Sequence, residues 1–206
     1  MLYSGKDLRK LIIPLIIEQI LAIAVGMADT IMVSAAGEAA VSGVSLVDTV
    51  NILLINVFSA LATGGAVVSG HFLGKKKRED ACKSAWQILL FATLLAFVIS
   101  VIFITAHDPL LRLMFGKIED DVMKASKTYL IITTYSFVAL AIYNSCAALF
   151  RAMNESKVTM WVSLLMNVIN VVGNAICIYG LHMGVAGVAI PTTISRYVAA
   201  GVIFFF

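Results

Sequence analysis

Six long apolar runs, at about 11–34, 41–70, 83–106, 126–150, 157–180 and 185–206, alternate with short polar breaks along the chain. Each has roughly the 20 residues an α-helix needs to cross a hydrocarbon layer about 30 Å thick. The breaks are Gly37-Glu38, the GKKKRED block at 74–80, the stretch 107–127, RAMNESK at 151–157, and 181–184. All carry the turn or charge chemistry that stops an apolar helix. The pattern predicts an all-α polytopic membrane protein in which residues 1–206 form a single six-helix transmembrane bundle. The second run is long enough to tilt or to project past the membrane on the cytoplasmic side.

Composition narrows the classes further. With 61% hydrophobic and 13% charged residues and a mean hydropathy of +0.98, the chain is too apolar for a soluble domain and has the lipid bilayer as its first partner. The net charge of +3 comes from basic residues clustered between the runs rather than along one polar face, which excludes a nucleic-acid binder. Cys82, Cys146 and Cys177 are odd in number and lie mostly in apolar runs, so they read as small buried thiols rather than as a disulfide framework or metal site. His71, His107 and His182 lie at span ends with no ligand spacing. There is no nucleophile with a base and no phosphate-cradling loop, so the reading is not an enzyme and has no cofactor.

Charge also predicts orientation, because Lys and Arg are retained on the cytoplasmic side. One side collects Lys6, Arg9, Lys10, the Lys75–Arg78 cluster, Lys83, Arg151 and Lys157; the other has Arg112, Lys117, Lys124 and Lys127 offset by Asp108, Glu119, Asp120 and Asp121. The N-terminus is therefore expected in the cytoplasm, and an even number of spans returns the C-terminus there. The first run is not a secretory leader, since it is too long and carries Glu18 and Asp29. The sequence stops inside an apolar run at Phe206 and has no internal repeat. It is expected to be a truncated product or half of something larger, whose partner lies beyond Phe206 or in another copy.

A few polar groups interrupt the runs. Glu18 and Asp29 lie about 20° apart on a helical wheel and about 16 Å apart along the axis, so one face of the first helix carries two carboxylates at different depths. A charge near the bilayer centre costs about 2.5–3.5 kcal/mol on insertion scales and is rarely there without a partner or a task. Such a carboxylate can take and release a proton or, ringed by amide and hydroxyl oxygens, hold Na⁺. A plain hydrogen bond to a neighbouring helix is the alternative for both, and for Glu18 the more so. Asn167, Asn170 and Asn174 share one face of the fifth run, where they serve either as interhelical glue or as the wall of a hydrated cavity. In the sixth, Thr192 and Arg196 share a face beyond Pro191. Arg196 is too deep to snorkel and should meet water or a carboxylate. Asp48, with Asn51, reads as interfacial, and Gln19 as a further cavity-lining candidate beside Glu18.

Taken together, Pro14 with Glu18-Gln19, ADTIMV at 28–33, Ser69 to Gly74 ahead of the basic loop, FRAMN at 150–154, Asn170 to Asn174, and MGVAGVA at 183–189 with Thr192 resemble the multidrug and toxic compound extrusion (MATE) family. The resemblance covers nearly the whole chain. It implies a twelve-helix antiporter of two six-helix lobes in the plasma (inner) membrane, of which this is the N-terminal one, exporting cationic or amphipathic organic compounds in exchange for H⁺ or Na⁺. By position it implies that Asp29 couples the cation, accompanied by Asn170 and Thr192. Asn174 stands where some members have a second Asp, which leaves one titratable group fewer, and Pro191 departs from the usual small residue. Two other readings remain: a helical membrane scaffold that transports nothing, and a related flippase for lipid-linked sugars, toward which only Arg196 points.

Overall fold

Where the sequence shows apolar runs the chain forms helices. The structure is a computed structural model describing residues 5–206, and among the described residues it contains no strand. The elements are α1 (Gly5–Ser34), α2 (Glu38–Gly74), α3 (Arg78–Thr105), α4 (His107–Phe115), α5 (Asp120–Thr134), α6 (Phe137–Ala152), α7 (Ser156–Ala175) and α8 (Ala186–Phe205). Among the described residues five helices are long and apolar enough to cross a membrane, and the bent pair α5 and α6 passes the same test of length and apolarity when taken together. The extreme N-terminus, whose cytoplasmic placement the charges predict, lies outside the described residues, as do the side chains of Lys6 and Lys10.

The fourth run is broken. α5 and α6 meet at a 52° bend around Tyr135-Ser136. The cause is local: Thr133 and Thr134 hydroxyls donate to the carbonyls of Tyr129 (2.8 Å) and Leu130 (2.6 Å), and Ser136 donates to that of Thr133 (2.6 Å). Hydroxyls that take carbonyls of the preceding turn bend helices. α5 also begins earlier than the apolar pattern suggests, because Asp120 and Asp121 occupy its first turn and complement the helix dipole. The stretch read as a plain break holds α4, tied to α5 by the ion pair of Asp108 with Lys127. That contact holds the Asp108 carboxyl below its usual value of 3.8.

Helices surrounded by lipid gain little from apolar burial against one another, so close packing and interhelical hydrogen bonds must hold the bundle. Two glycines mark close approaches between helices. A Cβ on Gly43 would lie 2.7 Å from that of Ala125, so α2 and α5 touch at backbone distance and Ser126 donates to the Gly43 carbonyl at 3.2 Å. A Cβ on Gly173 would lie 2.6 Å from that of Pro191, which sets α7 hard against α8. Between them Val50, Leu54, Phe58, Ala92, Ala96 and Phe137 fill the middle of the bundle, with Phe137 edge-on to Phe103. Trp161 on α7 and Tyr179 in the Ile176–Gly180 turn that extends it are both exposed, as the aromatic residues of the two membrane interfaces are.

The thiols are a partial correction. Cys146 is buried and Cys177 half-buried, but Cys82 is exposed at the start of α3, where helix geometry turns it outward from Ala81.

Candidate functional site

α1 lies along α7, and α7 along α8. This arrangement brings Asp29, Asn174, Asn170 and Thr192 into one hydrogen-bonded line. Asp29 Oδ1 accepts from Asn174 Nδ2 at 2.7 Å, and the same amide donates to Asn170 Oδ1 at 3.3 Å. Asn170 Nδ2 donates in turn to Thr192 Oγ1 at 2.8 Å, and Thr192 donates to the Val188 carbonyl at 2.8 Å. Asn174 is fully buried, whereas Asp29 is half-buried at the edge of α1. Asn170 and Asn174 are one turn apart and so present both amides to the same neighbours. The close contact at Gly173 delivers Thr192 to them. Immediately after Asn174 the helix widens into a π turn, Ile176–Gly180, a feature frequent beside functional sites.

Two points sharpen the sequence expectation. Asn170 and Thr192 are in this line, but the direct partner of Asp29 is Asn174. In addition, Asn174 Oδ1 is buried and has no hydrogen-bond partner, an unused acceptor beside a carboxylate.

The other candidates divide. Glu18 is not brought to Asp29: it is 8% exposed, accepts from Arg151 at 2.7 Å and from Tyr143 at 3.4 Å, and so pins α1 to α6. Its partner Arg151 was read from sequence only as a cytoplasmic basic residue. Gln19 lies one residue, about 100°, off the buried stripe of α1 and is exposed. Asn167 is buried a turn from Asn170 with its Nδ2 unpartnered, outside the line to Asp29.

Arg196 on α8 donates to Ser136 Oγ at 2.9 Å. Asp48 accepts from Tyr129 at 3.0 Å and from Asn51 at 3.2 Å. A second polar cluster therefore joins α2 to α5. None of the ion pairs among the described residues includes Asp29. No group of His, Cys, Asp or Glu among the described residues is arranged to hold a metal ion.

A sequence profile of the MatE family matches residues 14–176, most of the chain and all of α1 beyond its first turns. The chain belongs to the MatE family. Among its relatives in this family, an uncharacterized transporter, YisQ of Bacillus subtilis, is 32% identical over 190 residues, covering 90% of this chain and 41% of YisQ. A probable multidrug resistance protein NorM of Thermotoga maritima is 27% identical, covering 96% and 43%. Among solved structures, an outward-facing multidrug resistance MATE transporter superposes with a TM-score of 0.90 at 24% identity, over 97% of this chain and 44% of that one. A MATE solved in complex with MaL6 superposes equally well at 25% identity. The chain thus spans less than half the length of its MatE relatives, which are transporters and not enzymes.

Proposed function

We propose that this lobe is the cation-coupling half of a two-lobed exporter that expels cationic or amphipathic organic compounds in exchange for H⁺ or Na⁺. Asp29 is the coupling residue, and Asn174, Asn170 and Thr192 are its relay. The observation that carries this reading is the contrast between the two carboxylates of α1. Glu18 has a fixed counter-charge in Arg151, whereas Asp29 has a neutral amide in contact and, among the described residues, no ion pair. A membrane carboxylate without a fixed partner is suited to a mobile one.

Asn174 fits that task because a carboxamide has two faces. In this structure it offers its NH₂ to the carboxylate. Turned over, it would offer Oδ1 to a protonated carboxyl or to Na⁺. The change of partner would loosen or tighten α1 against α7, and a cation that binds one arrangement better shifts the lobe toward it. The second lobe would be supplied by the remainder of a longer chain or by another copy. In this reading the protein lies in the plasma (inner) membrane with its N-terminus in the cytoplasm, which the exposed Lys75–Arg78 cluster at the α2–α3 turn supports.

The test is efflux by Asp29→Asn. Cation-driven export should be abolished while the amount of protein in the membrane is unchanged. Normal efflux sinks the assignment, and a loss of stability alone would favour the scaffold reading.

A further inference from the structure

We propose that the α2–α3 turn and the hollow beneath it form a site for one anionic phospholipid of the cytoplasmic leaflet, with its phosphate on Lys75–Arg78 and its glycerol ester on Ser69. The proposal goes beyond the exporter reading and takes from it only the side of the membrane on which the turn lies.

The turn itself is fixed. Its Lys76 N–H donates to the Leu73 carbonyl at 2.9 Å and its Lys77 N–H to that of Phe72 at 3.0 Å, which is the Schellman pattern at the end of a helix. The left-handed residue of that pattern, usually glycine, is here Lys76 at φ 59°. Lys75, Lys76, Lys77 and Arg78 therefore leave the backbone together within one turn. All four are exposed, and none is in an ion pair among the described residues. Glu79 beside them is held by Lys83 at 3.2 Å. Topology calls for positive charge on this side of the membrane, but not for four unpaired cations at one point.

Below the turn, Leu73, Cys82, Ala85, Leu149 and Met153 line with Ser69 a hollow of about 130 Å³ between α2, α3 and α6. That is well under the roughly 300–1,000 Å³ of a pocket for a drug-sized molecule, so it suits a short stretch of hydrocarbon chain. Its one hydroxyl is unmet. Ser69 is 6% exposed and its Oγ has no hydrogen-bond partner, whereas the buried hydroxyls of Ser100, Thr133 and Thr159 each close on a carbonyl of their own helix. A buried hydroxyl needs an acceptor. Ser69 lies five residues before the end of α2, about 7–8 Å down the helix axis, which matches a headgroup layer about 5–8 Å thick. An ester carbonyl reaches that depth when its phosphate sits at the turn. Trp86, exposed one turn beyond Cys82, marks the same interface on α3. Cations, hydroxyl and apolar hollow thus follow the order of phosphate, ester and methylenes in an anionic phospholipid, and basic sites between spanning helices on the cytoplasmic side take such headgroups.

Cys82 stands in the wall of the hollow and reports its occupancy. The test is labelling by an uncharged maleimide, with Cys146 and Cys177 replaced by serine, in bilayer discs of phosphatidylcholine alone or with phosphatidylglycerol added. Phosphatidylglycerol should slow Cys82 about ten-fold or more, since each Lys or Arg at the surface is worth about five-fold in lipid affinity. The surface potential of such a bilayer, about −30 mV, accounts for only about a three-fold slowing through the local pH. A control thiol on the same side, Lys157→Cys with Cys82→Ser, should show no more than that. Lys76→Gln with Lys77→Gln, and separately Ser69→Ala, should each bring Cys82 in anionic discs to within about three-fold of its rate in phosphatidylcholine. Equal slowing at positions 82 and 157, or full slowing retained in Ser69→Ala, overturns the proposal, since either leaves only a charged surface. Slowing by inorganic phosphate added to phosphatidylcholine discs would assign the turn to a soluble anion and overturn it as well. Discs present both leaflets, so the result is independent of the protein's orientation and of whether Asp29→Asn still exports.

Discussion

Replacing Arg151 with methionine removes the only cation in contact with Glu18 among the described residues, and leaves that carboxylate, 8% exposed, with a single long hydrogen bond of 3.4 Å from Tyr143. Stranding one member of a buried ion pair costs about 3–5 kcal/mol, because the remaining charge stays desolvated. For a chain of this size each kcal/mol lowers the unfolding temperature by about 2–4 °C, so the purified protein in detergent should melt about 6–20 °C lower. The argument makes a second demand. Replacing both partners, with Glu18→Gln added to Arg151→Met, removes the stranded charge and should recover most of the loss. The assay is a thermal melt of wild type, both single variants and the double variant. A drop under about 2 °C for Arg151→Met, or a double variant no better than that single variant, would refute the claim that this pair is buried and mutually dependent.

Other expectations follow from individual contacts. Gly173→Ala puts a methyl group 2.6 Å from Pro191 Cβ and should cost about 1–3 kcal/mol in a melt, whereas Gly26→Ala, with open space around its Cβ, should cost much less. Tyr129→Phe leaves Asp48 with Asn51 as its remaining side-chain donor and should destabilise by about 1–3 kcal/mol, read in the same melt. Cys82 should react with a maleimide in the folded protein and Cys146 should not, as mass spectrometry of labelled peptides would report. Lys127 lowers the Asp108 carboxyl below 3.8, so the stability it lends is present above that value and lost as pH falls through the lowered one. Hydrogen-exchange protection over 107–115, taken relative to the intrinsic rate at each pH, should therefore fall in acid in the wild type, and Lys127→Met should remove that pH dependence.

Much of the fold was legible because hydrocarbon imposes a simple rule on sequence, namely long apolar helices separated by polar turns. The break in the fourth run escaped that rule. Thr133, Thr134 and Ser136 are tolerated in membrane helices, and whether their hydroxyls take backbone carbonyls is a matter of rotamer rather than of hydropathy. The line from Asp29 to Thr192 was visible as separate polar positions on three helices. That Asn174 rather than Asn170 touches Asp29 depends on the register between α1 and α7, which spacing within one helix cannot reveal. Arg151 went unpaired in the sequence reading for a related reason. It sits at the end of a span, where a basic residue is already explained by topology, so nothing flagged it as the partner of a carboxylate 133 positions earlier.

The central claim is that Asp29 is where a mobile cation meets this lobe. Its most direct test is to count cations on the purified protein, as protons released or Na⁺ displaced when a transported compound is added. Wild type should exchange about one cation per Asp29, and Asp29→Asn should exchange none. Equal stoichiometry in the two proteins would contradict the account.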